Sequence, residues 1–221
     1  MKKIPYSLLP FFFVTLFAVG CAKEDEATND VTPYTINIKV GETYDLGEIG
    51  PWSAWNPFVA TAWHNGKVTG QHVGECTVNC PYDERQFKFL VSANINLFKD
   101  PITTWGVSKS YVISKEGSGY QTNGELITWA RQDSVSPYIA YSLENGELTS
   151  ATIFVYSQYM EQAYNHLSER YKFVYYEDGK STFINANNMN NATTIVTLKL
   201  YTSTICGRNC TYCGIVYMKN T

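Results

Sequence analysis

The chain has 221 residues, with 17 Lys and Arg against 20 Asp and Glu, and a formal net charge of −3. That acid-leaning balance disfavours nucleic acid as a partner, and the length leaves room for two small domains or one domain and a module. Seventeen Tyr, eleven Phe and five Trp make up 15% of the residues. Much of this is ordinary strand composition, while the functional reading is a set of rings able to stack on sugars.

Lys2 and Lys3 are followed by the apolar run SLLPFFFVTLFAVG, which ends on Cys21. Residues 1–20 read as a secretory leader, too short and wrongly flanked for a retained membrane span. Its removal takes two lysines and moves the formal charge to −5. The ending Ala18-Val19-Gly20-Cys21 resembles a bacterial lipobox, which implies a diacylated Cys21 as the membrane anchor. Lys23, Glu24, Asp25 and Glu26 resemble the acidic export signal of Bacteroidetes-type lipoproteins, which implies the outer face of the outer membrane. Residues 21–33 are polar and acidic, with too little apolar surface to order themselves, and form a tether.

At Tyr34 the pattern changes to period-two alternation, with Ile36, Ile38 and Val40 on one face and Thr35, Asn37 and Lys39 on the other, ending at Gly41. Asn65-Gly66 supplies a hairpin turn, Asn56-Pro57 an extended or turn conformation, and Gly41, Gly70 and Gly74 punctuate short strands. These are marks of a β-sandwich over residues 34–94. The stretches VGETYDL, WSAWNPFVAT, NGKVTG and VGECTVN resemble the bacterial Ig-like group 2 domain. The resemblance implies a spacer or adhesive module with no active site of its own. Trp55, Phe58 and Trp63 depart from that family, which carries small or polar residues there. These rings either stack on a ligand or pack against the second domain.

Residues 95–221 predict an α+β domain. Ser108 is an N-cap for a short helix through Lys115, and EGSGYQTNGE breaks it. Strands follow at Glu125 to Arg131, Tyr138 to Glu144 and Glu147 to Tyr156, the last two joined by Asn145-Gly146. Met160, Ala163, Tyr164, Leu167 and Tyr171 form one apolar helical stripe, so this helix should lie across the sheet. Further strands are expected at Phe173 to Glu177, Ser181 to Ala186, Thr193 to Tyr201 and Ile215 to Lys219. The order suggests an antiparallel sheet with helices on one face. Gly106, Ser108 and Val112 in WGVSKSYVISKEGSGY are loosely similar to the helix-plus-meander repeat of β-lactamase-inhibitor-protein-like and outer-membrane assembly lipoproteins, which implies a sheet face presented to another protein.

Cys206, Cys210 and Cys213 in CGRNCTYCG have a spacing similar to the cluster motif of radical-SAM enzymes. Only eight residues follow Cys213, no barrel pattern exists, and an exported chain leaves reducing conditions, so that reading is rejected. Zinc fails for want of a nearby fourth ligand. A disulfide closing the loop between the last two strands fits better, with Cys206 to Cys213 or Cys206 to Cys210 as the pairings. Cys76 and Cys80 lie four apart on one strand, about 13 Å if extended, beyond the roughly 7 Å limit for a bridge. Excluding Cys21, five cysteines leave at least one thiol free or paired between molecules.

His64, His72 and His166 lack companions at ligand spacing and are expected at the surface, with no metal site and no cofactor. Gly117-Ser118-Gly119 is a loop, not a nucleophile elbow, and no carboxylate pair suggests glycosidic chemistry. Asp133-Ser134-Val135 resembles the O-glycosylation site of Bacteroidetes-type exported proteins. The expectation is a non-enzymatic, lipid-anchored envelope protein, tied to the membrane by its N-terminal lipid. It either binds a glycan or host protein through rings such as Trp55, Trp63 and Trp129, or serves as an interaction or assembly component through the sheet of its second domain.

Overall fold

Alternating apolar residues between closely spaced turns give short strands, and these dominate the computed structural model, which describes residues 33–47, 50–205 and 208–220. The chain divides into Met1–Asp30, outside the described residues, and Val31–Thr221. The first strands are β1 (Tyr34–Lys39), β2 (Thr43–Asp45), β3 (Ser53–Ala54), β4 (Ala60–Ala62), β5 (Lys67–Gly70), β6 (Gly74–Cys80) and β7 (Asp83–Ser92). They form a four-stranded sheet in the order β1-β7-β6-β3 and a three-stranded sheet in the order β2-β5-β4. β1 runs parallel to β7, and the other pairings are antiparallel.

Both sheets contribute to one core of Ile38, Trp52, Val59, Ala60, Val68, Cys76, Val78, Cys80, Phe89 and Val91. Cys76, Val78 and Cys80 recur every second residue of β6, so all three point inward. Both thiols on this strand are free. The chain turns back at Asn65-Gly66, but only Gly66 takes a positive φ, +78°, and the turn closes between Trp63 and Lys67. Gly70 lies where the sheets close on one another: a Cβ there would meet the Lys39 carbonyl oxygen at 2.8 Å and Val91 Cγ1 at 2.9 Å.

The rest of the chain builds an antiparallel sheet of eight strands from β8 (Tyr120–Asn123), β9 (Leu126–Ala130), β10 (Tyr138–Glu144), β11 (Glu147–Tyr156), β12 (Lys172–Glu177), β13 (Lys180–Ile184), β14 (Thr194–Ile205) and β15 (Arg208–Lys219). Their order across the sheet is β12-β13-β14-β15-β11-β10-β9-β8. Helix α1 (Lys109–Glu116) starts at Ser108, whose hydroxyl accepts from the Tyr111 amide at 3.3 Å, as the N-cap reading predicts. Helix α2 (Met160–Ser168) buries Ala163, His166 and Leu167. Val112 of α1 and Ala163 and Leu167 of α2 share one core with Ile127, Ile139, Tyr141, Ile153, Val196, Ile215 and Tyr217, so both helices cover the same sheet face.

Two expectations are corrected here. EGSGYQTNGE is not simply a break after α1, because its Tyr120 to Asn123 segment pairs with β9 as an edge strand. The supposed loop between the last two strands is a long hairpin, paired from Thr194↔Lys219 out to Ile205↔Arg208. Thr, Ser and Asn hid these strand extensions, because their polar side chains are tolerated where a hairpin runs beyond its core.

The two groups of strands meet through backbone caught by α2. The carbonyl of Glu169, just after α2, accepts from the Val73 amide at 2.8 Å. The Glu169 carboxylate accepts from the amides of Asn94 and Ile95, both at 2.9 Å, while the Asn94 side chain donates to the Val40 carbonyl at 3.0 Å. Glu169 thus ties the start of β6 to the connecting segment, and Asn94 of that segment ties it on to the end of β1.

Candidate binding surface

Among the described residues, helices cover only one face of the eight-stranded sheet. Strand alternation sends Ile139, Tyr141, Ile153 and Val155 into the core, and therefore places Tyr138, Ala140, Thr152, Phe154 and Tyr156 on the opposite face. Thr128 stands opposite Ala140, and Val216 opposite Thr152, on that same face. All seven side chains are half-buried. Tyr138 pairs with Phe154 across β10 and β11, and the small Ala140 beside them leaves a hollow of about 230 Å³, lined also by Thr128. A second hollow of about 150 Å³, lined by Gly119, Gln121, Thr128, Trp129, Ala130 and Tyr138, adjoins it through Thr128 and Tyr138. Among the described residues, no charged side chain lines either hollow.

The aromatic surface continues toward β14. Tyr156 and Tyr212 stack at 5.5 Å and 29°. Tyr201, opposite Tyr212, lays its ring over Gly214, where a Cβ would come within 2.5 Å of the ring. Gly214 stands opposite Phe154, so the absence of its side chain keeps the aromatic strip continuous. Rings and hydroxyls offer stacking and hydrogen bonding, and Lys199, opposite Gly214, sets a cation at the β14 end of the strip.

The residues singled out from sequence do not converge. Trp55 is 67% exposed and its indole donates to Asn79 Oδ1 at 3.0 Å. Trp63 is 54% exposed, after β4, on the other sheet of that core. Phe58 is half-buried and stacks on His72 at 4.1 Å and 3°. It lines two hollows at the junction of the strand groups. One, about 340 Å³, is shared with Asp100, Thr103, Arg170 and Tyr171, and the other, about 250 Å³, with Thr61, His72, Lys172 and Asn187.

Trp129 must be corrected as a ligand contact. It is 5% exposed, belongs to the core, packs edge-on to Tyr141 at 5.7 Å and donates its indole N–H to the Gly117 carbonyl at 3.2 Å. Alternation on β9 turns it inward beside Ile127, and it also lines part of the second hollow. Cys213 is a free, buried thiol, not one half of a bridge to Cys206. Its ladder partner is Leu200, and about 16 Å of strand separates it from Arg208, which pairs with Ile205, the residue next to Cys206. Burial pushes the Cys213 thiol up to about 11. Cys21, Lys23, Glu24, Asp25, Glu26 and Cys206, and the side chain of Cys210, lie outside the described residues.

His166 is likewise corrected, since it is wholly buried and not at the surface. Its Nδ1 accepts from the Leu97 amide at 3.2 Å and its Nε2 donates to Asp100 Oδ1 at 3.1 Å. Both ring nitrogens are occupied, so the pair positions the 95–100 segment and has no free nitrogen to act as a base. Arg170 donates from Nε to Asp100 Oδ2 at 2.9 Å. Burial is the largest influence on Asp100 and would raise its carboxyl, yet the His166 hydrogen bond and the neighbouring Arg170 together hold it below the usual carboxylate value. His72 donates from Nδ1 to the Phe58 carbonyl at 2.7 Å. Burial and the nearby Lys172 lower it against that hydrogen bond.

A scan against protein-family models finds none that matches the chain, and a search of curated proteins finds none similar to it. The sequence reading offered the sheet of the second domain as a contact surface but singled out none of the residues on its open face, although they leave a signal there. Tyr138, Ala140, Phe154 and Tyr156 occupy the alternate positions that a half-solvated strand normally fills with polar residues.

Proposed function

We propose that the protein is a non-catalytic binding protein of the cell surface, anchored in the outer membrane through lipid on Cys21. In this reading residues 34–94 are an Ig-like spacer, and residues 95–221 are an α+β domain that contacts a glycan or a partner protein through its open sheet face. The observation that carries it is the uncharged aromatic hollow between Tyr138 and Phe154, over Ala140. Exposed apolar surface bordered by hydroxyls is the chemistry of contact surfaces.

The test pairs a glycan array with capture of partner proteins, using the full chain and an Ala140→Arg variant that fills the hollow with charge. Loss of binding in that variant, with retention in Trp55→Ala and Trp63→Ala, supports the sheet face. Binding untouched by Ala140→Arg but lost on either Trp substitution overturns it. The same hollow also suits a role as an envelope interaction or assembly component. A sugar-insensitive complex with an outer-membrane protein, lost in Ala140→Arg, selects that reading.

A further inference from the structure

The eight-stranded sheet ends on two unlike edges. β8 offers Tyr120, Gln121, Thr122 and Asn123. β12 offers Lys172, Phe173, Val174, Tyr175, Tyr176 and Glu177, all exposed, with Tyr176 at 66%. One side of β12 pairs with β13, and its other side has no strand neighbour among the described residues. A free edge presents unpaired N–H and C=O groups and is normally blunted by charge, proline, brevity or a bulge. Here four consecutive apolar or aromatic residues occupy it, and charge stands only at the two ends, with opposite sign.

That arrangement is self-complementary. When β12 is set antiparallel to β12 of a second copy, about a two-fold axis between Val174 and Tyr175, Lys172 faces Glu177 of the second copy at both ends. Phe173 then faces Tyr176, and Val174 faces Tyr175. Opposite charges and aromatic pairs across strands stabilise such a ladder, whereas parallel pairing would set Lys on Lys and Glu on Glu. We infer that β12 is the contact edge of a two-fold symmetric dimer of this chain, which joins two eight-stranded sheets into one continuous sheet. The contact is isologous, as closed dimers require. The bulge that leaves Val174 without a partner on β13 sits at the centre of this ladder and interrupts it there, so the Lys172–Glu177 and Phe173–Tyr176 pairs on either side carry the contact, and the dimer is of the small, concentration-dependent class. Lys172 Nζ donates to the Asn187 carbonyl at 2.7 Å, which uses one of its three donors.

The test is sedimentation velocity of the full chain in mild detergent over a wide concentration range. The wild-type chain should pass from monomer to dimer. Lys172→Glu and Glu177→Lys each place like charges at both ends and should weaken the dimer about tenfold. An equimolar mixture of the two variants puts opposite charges together again and should recover wild-type association. A wild-type chain that stays monomeric overturns the inference. So does a dimer indifferent to both substitutions, as shared detergent micelles would give, or a mixture that fails to recover. Both positions are exposed, and far-UV circular dichroism checks that each variant is folded.

Discussion

Truncating Trp129 to alanine separates a core tryptophan from a binding one. With the ring 5% exposed, folding removes most of its surface from water. An aromatic of this size buries roughly 200 Å², and at about 25 cal/mol per Å² that is about 5 kcal/mol of transfer free energy as an upper value. Alanine keeps a small part of it, and the cavity beside Tyr141 adds a penalty, so a loss of about 4 kcal/mol is expected. The broken hydrogen bond adds little, because Gly117 is exposed and water replaces the indole at its carbonyl. Trp55→Ala, by contrast, removes a largely exposed ring and one exposed hydrogen bond, and should cost less than about 1 kcal/mol. Urea unfolding monitored by far-UV circular dichroism gives both values from midpoint and slope. If Trp129→Ala costs less than about 1 kcal/mol, or no more than Trp55→Ala, the placement of Trp129 in the core is wrong.

Two further outcomes follow from particular contacts. Gly70→Ala should destabilise by about 1–3 kcal/mol, because the new methyl meets the fixed Lys39 carbonyl and Val91 between the two sheets; an unchanged denaturation midpoint would show that the sheets do not approach that closely. Asp100 is held below its ordinary value of 3.8, so its contribution is complete above that pH and fades as pH falls through the lower folded value. Asp100→Asn should therefore unfold more readily than wild type at pH 6, with the gap narrowing as pH falls below 3.8, and a gap that does not narrow would remove the His166 hydrogen bond and the Arg170 ion pair as its cause.

Elements whose local signals agree were legible in the residues. Ser108 begins a helix because its hydroxyl meets an amide that the helix itself cannot satisfy. The β10–β11 strands and their Asn145-Gly146 turn were legible because glycine and asparagine accept positive φ, here +79° and +52°, where other residues resist it. The stripe of Met160, Ala163, Tyr164 and Leu167 marked α2 because periodicity reports which side is buried, but its last member, Tyr171, lies past the end of the helix at Ser168.

Periodicity does not report what lies on the far side of a sheet or how strands from distant parts of the chain line up. The fate of Trp129 depended on which face of β9 the helices cover, and that of His166 on a backbone amide and a carboxylate 69 and 66 residues away. Cys206, Cys210 and Cys213 suggested a bridge by nearness in sequence, yet the register of β14 and β15 carries Cys213 into the core opposite Leu200. The sequence by itself determined the two helices and those strands and turns whose hydrophobic period and local sterics agree, though not β8 or the polar outer part of the β14–β15 hairpin. Only tertiary structure decided which aromatic rings reach solvent and which edge remains unpaired, because burial belongs to contacts between segments far apart in the chain.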